Sequence, residues 1–350
     1  MIVNMSIRHF VSPVLFAFSP LFLLSSGSVA VADELLMKDG SRLLGEVVKR
    51  EHGILEFKTS YAGVIKVKWE AVAELQSDKP MKLMLKDEST ITAKHITNDV
   101  DELVVEGEGE LPAQTLGQAT VEYINPEPWR TGEGYKLTGR ANAALSIERG
   151  NTDKDELDLD GDLTWRYLHD RFKVYGELER DRNNNKKTKD KWKLNNTYDH
   201  FFTKQWYGGA FLGLEHDQFA DLDLRTTVGP TAGYQWFEGK DMNLSTTIGP
   251  MYVNEDFINE SDDDYVSLGW GIDFDKYLFD EFMQFYHRQT GLWNLEATND
   301  VVWNTWTGLR FPLLMGFVAS TELQAEYNTG AAKDADELDT TVTVKLGYAW

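Results

Sequence analysis

The sequence predicts an all-β protein in which a transmembrane barrel of about twelve antiparallel strands follows a small β-rich domain. From about residue 135 to residue 350, long stretches alternate apolar and polar residues with period two, which is typical of strands that separate two environments. These stretches match the ~9–11 residues of a tilted strand that crosses a bilayer. The connections between them are alternately short and long, as in bacterial outer-membrane barrels.

Composition excludes several other classes of protein. The 350 residues carry 35 Lys and Arg against 57 Asp and Glu, a net charge of −22, so we expect no nucleic-acid partner. Cysteine is absent, which excludes disulfides, thiolate metal sites and a lipidated cysteine. The mean hydropathy of −0.41 is too polar for a bundle of membrane helices. The 11 Trp, 14 Tyr and 18 Phe argue against a disordered chain.

Residues 1–32 have the organisation of a secretory signal peptide. Arg8 precedes a mostly apolar stretch over residues 10–24, and residues 30–32 form a small-x-small cleavage site. We expect the mature chain to begin at Asp33; an uncleaved membrane anchor is the alternative. No later apolar run approaches the ~18–20 residues of a spanning helix.

Residues 33–125 form a first block with a degenerate internal repeat, in which the pattern of residues 36–41 recurs at residues 84–89. Each copy holds short alternating runs bounded by turn residues, so we expect a β-rich periplasmic domain built from two repeats. It is either a binding module of SH3-like or Sm-like shape or an assembly domain without a ligand. Pro126 and Pro128 mark residues 126–134 as a linker.

Residues 135–350 are expected to form the barrel. An even number of strands lets the first strand begin and the last strand end on the same side of the membrane. The N-terminal domain and the C-terminus are therefore both expected in the periplasm. The predicted strands are 135–150, 154–168, 171–183, 187–203, 205–219, 221–237, 241–255, 261–277, 280–296, 299–311, 314–328 and 336–350.

Aromatic residues cluster near the short turns, where they are expected to form an interfacial girdle. Trp236 belongs to this girdle. Val344, Leu346, Tyr348 and the terminal Trp350 occupy every second position of the last strand, which is typical of an outer-membrane assembly signal. A large soluble β-sandwich is the alternative, although it gives no reason to collect aromatics at one end.

The opposite face of the strands carries mixed charges that are expected to point into the barrel lumen. These charges either line a narrow pore that selects ions or small solutes or pair into a closed interior, and the sequence leaves both possibilities open. The candidates are Glu177, Lys193, Glu215, Arg225, Arg288, Arg310, Glu322 and Glu326.

Three motifs in this region resemble a known bacterial family. They are LSIERGNTD at residues 145–153, PTAGY at 230–234, and GPMY at 249–252 followed by EDF at 255–257. The chain is similar here to the domain of unknown function 481 family, also labelled salt-induced outer membrane proteins (YdiY-like), over roughly residues 135–350. The resemblance implies an outer-membrane location and a link to salt or osmotic stress. It implies no catalytic residues.

Metal and catalytic chemistry find little support in the sequence. Asp262, Asp263 and Asp264 form an acidic loop cluster without EF-hand spacing. We expect neither metal nor cofactor, and Ca²⁺ or Mg²⁺ bound by these carboxylates is the alternative to solvated loops. His200, His216 and His287 fall on the lipid-facing positions, but the sequence pairs none of them with a serine. We therefore expect no enzyme, with an outer-membrane hydrolase of lipid or peptide as the alternative.

These observations predict a protein of the Gram-negative outer membrane with its first domain in the periplasm. We expect it to be a narrow passive channel or a structural, stress-related barrel with a periplasmic binding domain. The expected partners are outer-membrane lipid, lipopolysaccharide and the barrel-assembly machinery, together with small ions or solutes if the lumen is open.

Overall fold

The computed structural model describes residues 32–99, 102–107, 113–148, 153–329 and 337–350. Residues 1–31 of the predicted signal peptide lie outside the described residues, as do residues 149–150 and 336 at the ends of two predicted strands. The chain divides into two compact units, Met1–Pro126 and Glu127–Trp350. The described residues include no helix that is both long enough and apolar enough to cross a membrane.

The first unit is a nine-stranded antiparallel sheet with the order β4-β3-β2-β1-β5-β6-β7-β8, in which β9 pairs with both β2 and β5. Its strands are β1 (Asp33–Met37), β2 (Arg42–Glu51), β3 (Ile54–Thr59), β4 (Gly63–Lys68), β5 (Val72–Leu85), β6 (Thr90–Asn98), β7 (Glu102–Glu106), β8 (Gln114–Gly117) and β9 (Val121–Ile124).

The same turn occurs twice in this sheet. Asp39 accepts a hydrogen bond from the Ser41 backbone N–H at 2.8 Å between β1 and β2. Asp87 accepts one from the Ser89 backbone N–H at 3.0 Å between β5 and β6. Hydrogen bonds from these serines lower the pKa of both carboxyl groups below the ordinary value. The two turns fall at corresponding places in the repeat read from the sequence.

Period-two alternation gives the first unit its core, because every second side chain of a strand points to the same face. Leu35, Leu55, Phe57 and Leu83 are fully buried on that face. Asn98 is buried among them, and its amide donates hydrogen bonds to the backbone oxygens of Trp69 and Val72.

The second unit is a closed barrel of twelve antiparallel strands in sequential order, which confirms the predicted fold class. Each observed strand falls on a predicted one and differs from it mainly at the ends. The strands are β10 (Lys136–Glu148), β11 (Lys154–Tyr167), β12 (Asp170–Asn183), β13 (Lys186–Phe201), β14 (Trp206–Asp217), β15 (Leu222–Glu238), β16 (Met242–Phe257), β17 (Asp263–Leu278), β18 (Met283–Asn294), β19 (Val301–Pro312), β20 (Phe317–Asn328) and β21 (Leu338–Ala349).

Bulges in β15 change the direction of side chains that strict alternation places differently. The sequence pattern puts Leu222 on the same outer face as Leu224, but Leu222 is only 3% exposed. The pairing of β15 with β16 shifts by one residue between these two leucines, and such a shift turns the side chains before it to the other face. A second shift between Gln235 and Phe237 leaves both Trp236 and Phe237 exposed on the outer face.

Most of the predicted linker belongs to the barrel unit. Pro128–Arg130 form a 3₁₀ turn that holds the Trp129 side chain in a buried position. The guanidinium carbons of Arg130 and Arg166 lie 4.3 and 4.9 Å from the centre of the Trp129 ring. The Trp129 carbonyl accepts a hydrogen bond from the Leu168 N–H at 2.9 Å. The segment therefore packs against the end of β11.

Glycines in the barrel wall make room for aromatic rings. Tyr207 on β14 lies directly opposite Gly233 on β15, and a Cβ atom at Gly233 would lie 2.2 Å from the ring. Gly308 accommodates Tyr286 in the same way, because a Cβ atom there would lie 2.5 Å from the tyrosine hydroxyl. These rings fill lumen space that a larger wall residue would occupy.

We expect G233A to destabilise the barrel by about 1–3 kcal/mol, because the Tyr207 ring has to leave its buried position. G176A is the matched control, since the nearest atom to a Cβ there is the Lys193 carbonyl oxygen at 3.9 Å. Urea unfolding of the refolded protein in detergent, followed by tryptophan fluorescence, measures both. Equal midpoints for the two variants would contradict the packing argument.

Candidate functional site

The barrel lumen brings the predicted charged residues together. Glu177, Lys193 and Glu322 are buried, and Glu215 and Arg225 are largely buried. Arg288, Arg310 and Glu326 also lie on the lumen face, where they contact residues of other strands. The arrangement of these groups decides what the barrel can do chemically.

Ion pairs cross the lumen between strands that are not neighbours in the wall. Lys173 Nζ on β12 lies 3.0 Å from Asp273 Oδ2 on β17. Lys191 on β13 pairs with Glu326 on β20. Because the two strands of each pair are not adjacent, both side chains have to extend from the wall into the lumen to meet. They therefore occupy the path along the barrel axis.

A second group of charges lies toward the long-loop end of the barrel. Arg225 Nε lies 2.5 Å from Glu255 Oε1, and Arg225 Nη1 lies 3.1 Å from Glu215 Oε2. Lys193 Nζ approaches the same Glu215 at 3.3 Å, and the Tyr265 hydroxyl donates to Glu255 at 3.0 Å. Each buried charge here has at least one opposite charge within contact distance, which offsets the loss of hydration.

Lys345 forms the centre of a third group. Its Nζ lies 2.6 Å from Asp160 Oδ1 and 3.3 Å from Asp158 Oδ2 on β11. The same atom lies 2.9 Å from Glu322 Oε1 on β20. One cation on β21 thus connects the two strands that flank β10 and β21.

The lumen also contains aromatic side chains that the sequence analysis missed. Phe201 and Tyr207 are buried at the short-turn end, where the Arg166 guanidinium lies 3.9 Å from the Phe201 ring centre. The Arg171 guanidinium lies 4.7 Å from the Tyr207 ring centre and forms an ion pair with Asp199 at 2.8 Å. Stacked cations and rings of this kind attract each other where water is excluded.

Two further lumen aromatics, Tyr175 and Tyr286, could have been found from the alternation of the sequence. Tyr175 precedes Glu177 by two positions, and Tyr286 precedes Arg288 by two positions, so each shares a face with a predicted lumen charge. Tyr286 donates a hydrogen bond to Glu322 at 2.8 Å, and the Arg310 guanidinium lies 3.5 Å over its ring.

A cavity lined by residues that include Asn142, Asp160, Arg288, Arg310 and Lys345 has a volume of about 20 Å³. A space of this size holds about one water molecule. The side chains that line this cavity are mostly polar.

The predicted girdle residues lie on the outer face. Trp236, Tyr348 and Trp350 are exposed, as are Val344 and Leu346 of the last strand. The Trp236 ring lies 4.7 Å from that of Tyr234, which lies 4.8 Å from that of Trp206. Further exposed aromatics at the same end are Phe172, Phe202, Phe279, Phe282 and Phe317.

The acidic loop residues accept hydrogen bonds from groups close to them in the chain. Asp262 accepts a hydrogen bond from the Phe257 N–H at 3.1 Å, Asp263 accepts one from the Asp264 N–H, and Asp264 accepts one from the Tyr252 hydroxyl. Within the described parts of the chain, no three His, Asp or Glu side chains are grouped so that they could hold a metal ion.

The three outer-face histidines have separate partners. His200 Nδ1 lies 2.9 Å from Asp170, and His216 Nδ1 lies 2.6 Å from the Asp223 carbonyl oxygen. His287 Nδ1 lies 2.7 Å from the Thr307 hydroxyl, which is the contact that most resembles a base beside a nucleophile.

The surroundings of His287 favour the wrong tautomer for such a base. The Gln289 side-chain oxygen accepts hydrogen bonds from the indole N–H groups of Trp270 and Trp303 at 2.9 and 3.0 Å. This orientation, fixed by the hydrogen-bond network, turns the Gln289 amide nitrogen toward His287 Nε2, close to 3.5 Å away. If Nε2 accepts from this amide, Nδ1 carries the proton and donates a hydrogen bond to the Thr307 hydroxyl oxygen, whereas a catalytic base has to accept the hydroxyl proton.

We expect R225M to destabilise the barrel by about 3–5 kcal/mol, because it leaves Glu255 buried without its cation. The double variant R225M/E255Q is expected to recover part of this loss. K240Q is the control, since Lys240 and Glu281 form an exposed pair 3.2 Å apart that is worth about 0–1 kcal/mol. Urea unfolding in detergent measures all three. A double variant no more stable than R225M would show that the loss has another cause.

Comparison with known proteins gives a family and two distant structural resemblances. The solved structure of the NanC porin has 11% sequence identity and a TM-score of 0.39, and the match covers 61% of this chain and 99% of that one. A membrane-protein structure from a study of in-meso crystallisation has 14% identity and a TM-score of 0.30, with coverages of 62% and 83%. Both resemblances are too weak to bear on function.

No curated protein matches the sequence. The profile of one protein family, described as "Protein of unknown function, DUF481", matches residues 141–350. This range spans more than half of the chain and nearly the whole barrel, and it agrees with the motifs read from the sequence. The chain belongs to the DUF481 family.

Proposed function

We propose that this chain is a non-conducting barrel of the outer membrane that anchors its N-terminal β unit at the periplasmic face. The observation that carries the proposal is the set of ion pairs across the lumen, Lys173–Asp273 and Lys191–Glu326. Charges joined in this way lie across the path that water and ions would follow through an open pore. The barrel then serves as a structural element of the envelope.

The outer face supports the placement in a membrane. Leu159, Leu163, Val174, Leu212 and Val228 are exposed, large and aliphatic, and they lie in the middle parts of their strands. A soluble protein rarely exposes a continuous apolar surface of this extent. The band of exposed aromatics at the short-turn end suits the level of the lipid headgroups.

The short turns give the orientation. Outer-membrane barrels have short turns in the periplasm and longer loops outside, so both the N-terminal unit and Trp350 face the periplasm in this proposal. Outer-membrane lipid and lipopolysaccharide then surround the barrel. Its terminal strand, with Tyr348 and Trp350, is the segment that the barrel-assembly machinery recognises.

The narrow channel remains the main competing function, and the packed lumen argues against it. The hydrolase alternative receives no support from His287, because the hydrogen bonds around this ring leave its proton on the nitrogen that faces Thr307. That the chain is not an enzyme stays part of this proposal, as the sequence predicts.

Planar-bilayer recording of the purified protein tests the proposal. We expect no discrete conductance steps from the wild type, and the same silence from K240Q/E281Q, which removes an exposed ion pair. We expect steps from K173A/D273A/K191A/E326A, because this variant removes both crossings of the lumen.

Heat-modifiable migration on gels verifies that each variant is folded before recording. Reproducible steps with an ion preference from the wild type would contradict the closed lumen. Proteolysis of the N-terminal unit in intact cells, before the outer membrane is permeabilised, would contradict the periplasmic orientation.

A further inference from the structure

The pair of strands that closes the barrel differs from every other pair in the wall. β10 and β21 are paired at four positions, from Arg140 opposite Ala349 to Ala143 opposite Leu346. Gly139 and Trp350, next to this stretch, exchange two further backbone hydrogen bonds at 3.2 and 3.1 Å. Each of the other eleven neighbouring pairs is paired at ten or more positions. Among the described residues, β10 and β21 are therefore joined only near the short-turn end.

Both strands continue beyond the last paired position without losing their β conformation. β10 extends through residues 144–147 toward its loop, where it still pairs with β11, and β21 arrives through residues 341–345. In a closed barrel, the backbone groups of such strands satisfy each other, because lipid offers no hydrogen-bond partners. The structure instead leaves two sheet edges facing each other.

The outer side chains along these edges are more exposed than their counterparts elsewhere. Val342 and Val344 are 72% and 74% exposed, whereas Leu159 and Leu163 on the fully paired β11 are 38% and 36% exposed. Leu145 on the facing edge of β10 is 68% exposed. A neighbouring strand covers part of each outward side chain, so these values indicate that the neighbour is missing on one side.

The sequence of the two edges is nevertheless suited to pair. Extending the observed register places Leu145 opposite Val344 on the outer face. The same extension places Ala144 opposite Lys345 and Ser146 opposite Thr343 on the inner face. Apolar residues then meet outside and polar residues meet inside, as register requires. We call the boundary between β10 and β21 the seam. No side chain has to change face for the seam to close.

Lys345 limits how far the edges can separate. Its Nζ reaches past β10 to Asp160 on β11 and also contacts Glu322 on β20. The residue facing it in the extended register, Ala144, is small enough to let the lysine side chain pass. Asp158, the position on β11 that pairs with Ala144, also contacts this lysine. Lys345 and its three carboxylate partners thus connect the two sides of the seam at the point where the backbone pairing ends.

We propose that the barrel wall has a lateral opening between β10 and β21. It lies on the long-loop side of Ala143 and Leu346 and closes when the existing register is extended. The open and closed forms share the paired positions 140–143 with 346–349 and the Lys345 tether. They differ in the pairing of residues 144–147 with 342–345. The opening connects the outer face with the polar interior from the side and is independent of conduction along the barrel axis.

Disulfide trapping in the folded protein tests the opening, and the natural absence of cysteine makes the background clean. L145C/V344C joins positions that meet only when the seam is closed. L145C/L157C is the matched control at the fully paired β10–β11 boundary, and A143C/L346C is the control within the paired part of the seam. L145C/V342C places the cysteines out of register. Oxidation by a mild oxidant is followed by gel mobility, after heat-modifiable migration has shown that each variant is folded.

We expect both in-register controls to oxidise fully, L145C/V344C to oxidise fully but at least ten-fold more slowly, and L145C/V342C to remain reduced. Oxidation of L145C/V344C at the control rate would overturn the proposal, because the seam would then be closed throughout. A complete lack of reaction would overturn it as well, because the edges would never meet.

Hydrogen exchange of the unmodified protein provides a second measurement that needs no variant. Because Gly139 and Trp350 bond to each other through both backbone groups, every second amide from these residues points to the opposite edge. We expect the amides of Leu145, Ile147, Val342 and Val344, which point to the unpaired edge, to exchange at least ten-fold faster than those of Ala141, Ala143, Leu346 and Tyr348, which point across the paired part. Equal protection of the two groups would contradict an opening.

Discussion

A charge that points into a barrel filled with side chains has no bulk water around it, so its counter-charge must come from another strand. This constraint organises the whole interior. Burying an unpaired charge is so unfavourable that each cation has to be matched in position as well as in number. Arg225 between Glu215 and Glu255, and Lys345 between β11 and β20, are the clearest results.

The same constraint fixes the register of the strands. A slip of one residue would turn every inward charge outward and bring apolar residues into the ionic interior. Lys345 makes this cost large for β21, because its three carboxylate partners lie on two different strands. Bulges remain possible only where they keep the charges inside. The shift at Gln235 does so, because it turns Glu238 toward Arg166, with which it forms an ion pair at 3.3 Å.

The two ends of the barrel meet the constraint in different ways. At the short-turn end, arginines stack on Trp129, Phe201 and Tyr207, and the rings exclude water from the guanidinium groups. Toward the long loops, lysines and glutamates pair directly. The seam between β10 and β21 is the place where side-chain pairing continues but backbone pairing stops. The ionic interior thus holds the barrel together at the point where the wall itself is weakest.

The sequence by itself determined the number of strands, their approximate ends and the face on which the predicted lumen charges lie. Period-two alternation is a local property, and a strand between an apolar and a polar environment displays it directly. It also placed Glu177, Lys193, Glu322 and their counterparts inside. It went wrong at Leu222, where a bulge interrupts the alternation, because a bulge depends on the partner strand.

Only the tertiary structure decided which charges meet in the lumen. Partners such as Lys191 and Glu326 are 135 positions apart, and their meeting depends on barrel closure and on the stagger of the strands. Alternation predicts that aromatic residues such as Tyr175 and Tyr286 point into the lumen. It does not tell whether their rings fill the lumen or line its wall, and only their packing distinguishes the two. The incomplete seam is likewise invisible in the sequence, because β10 and β21 have residues that suit full pairing.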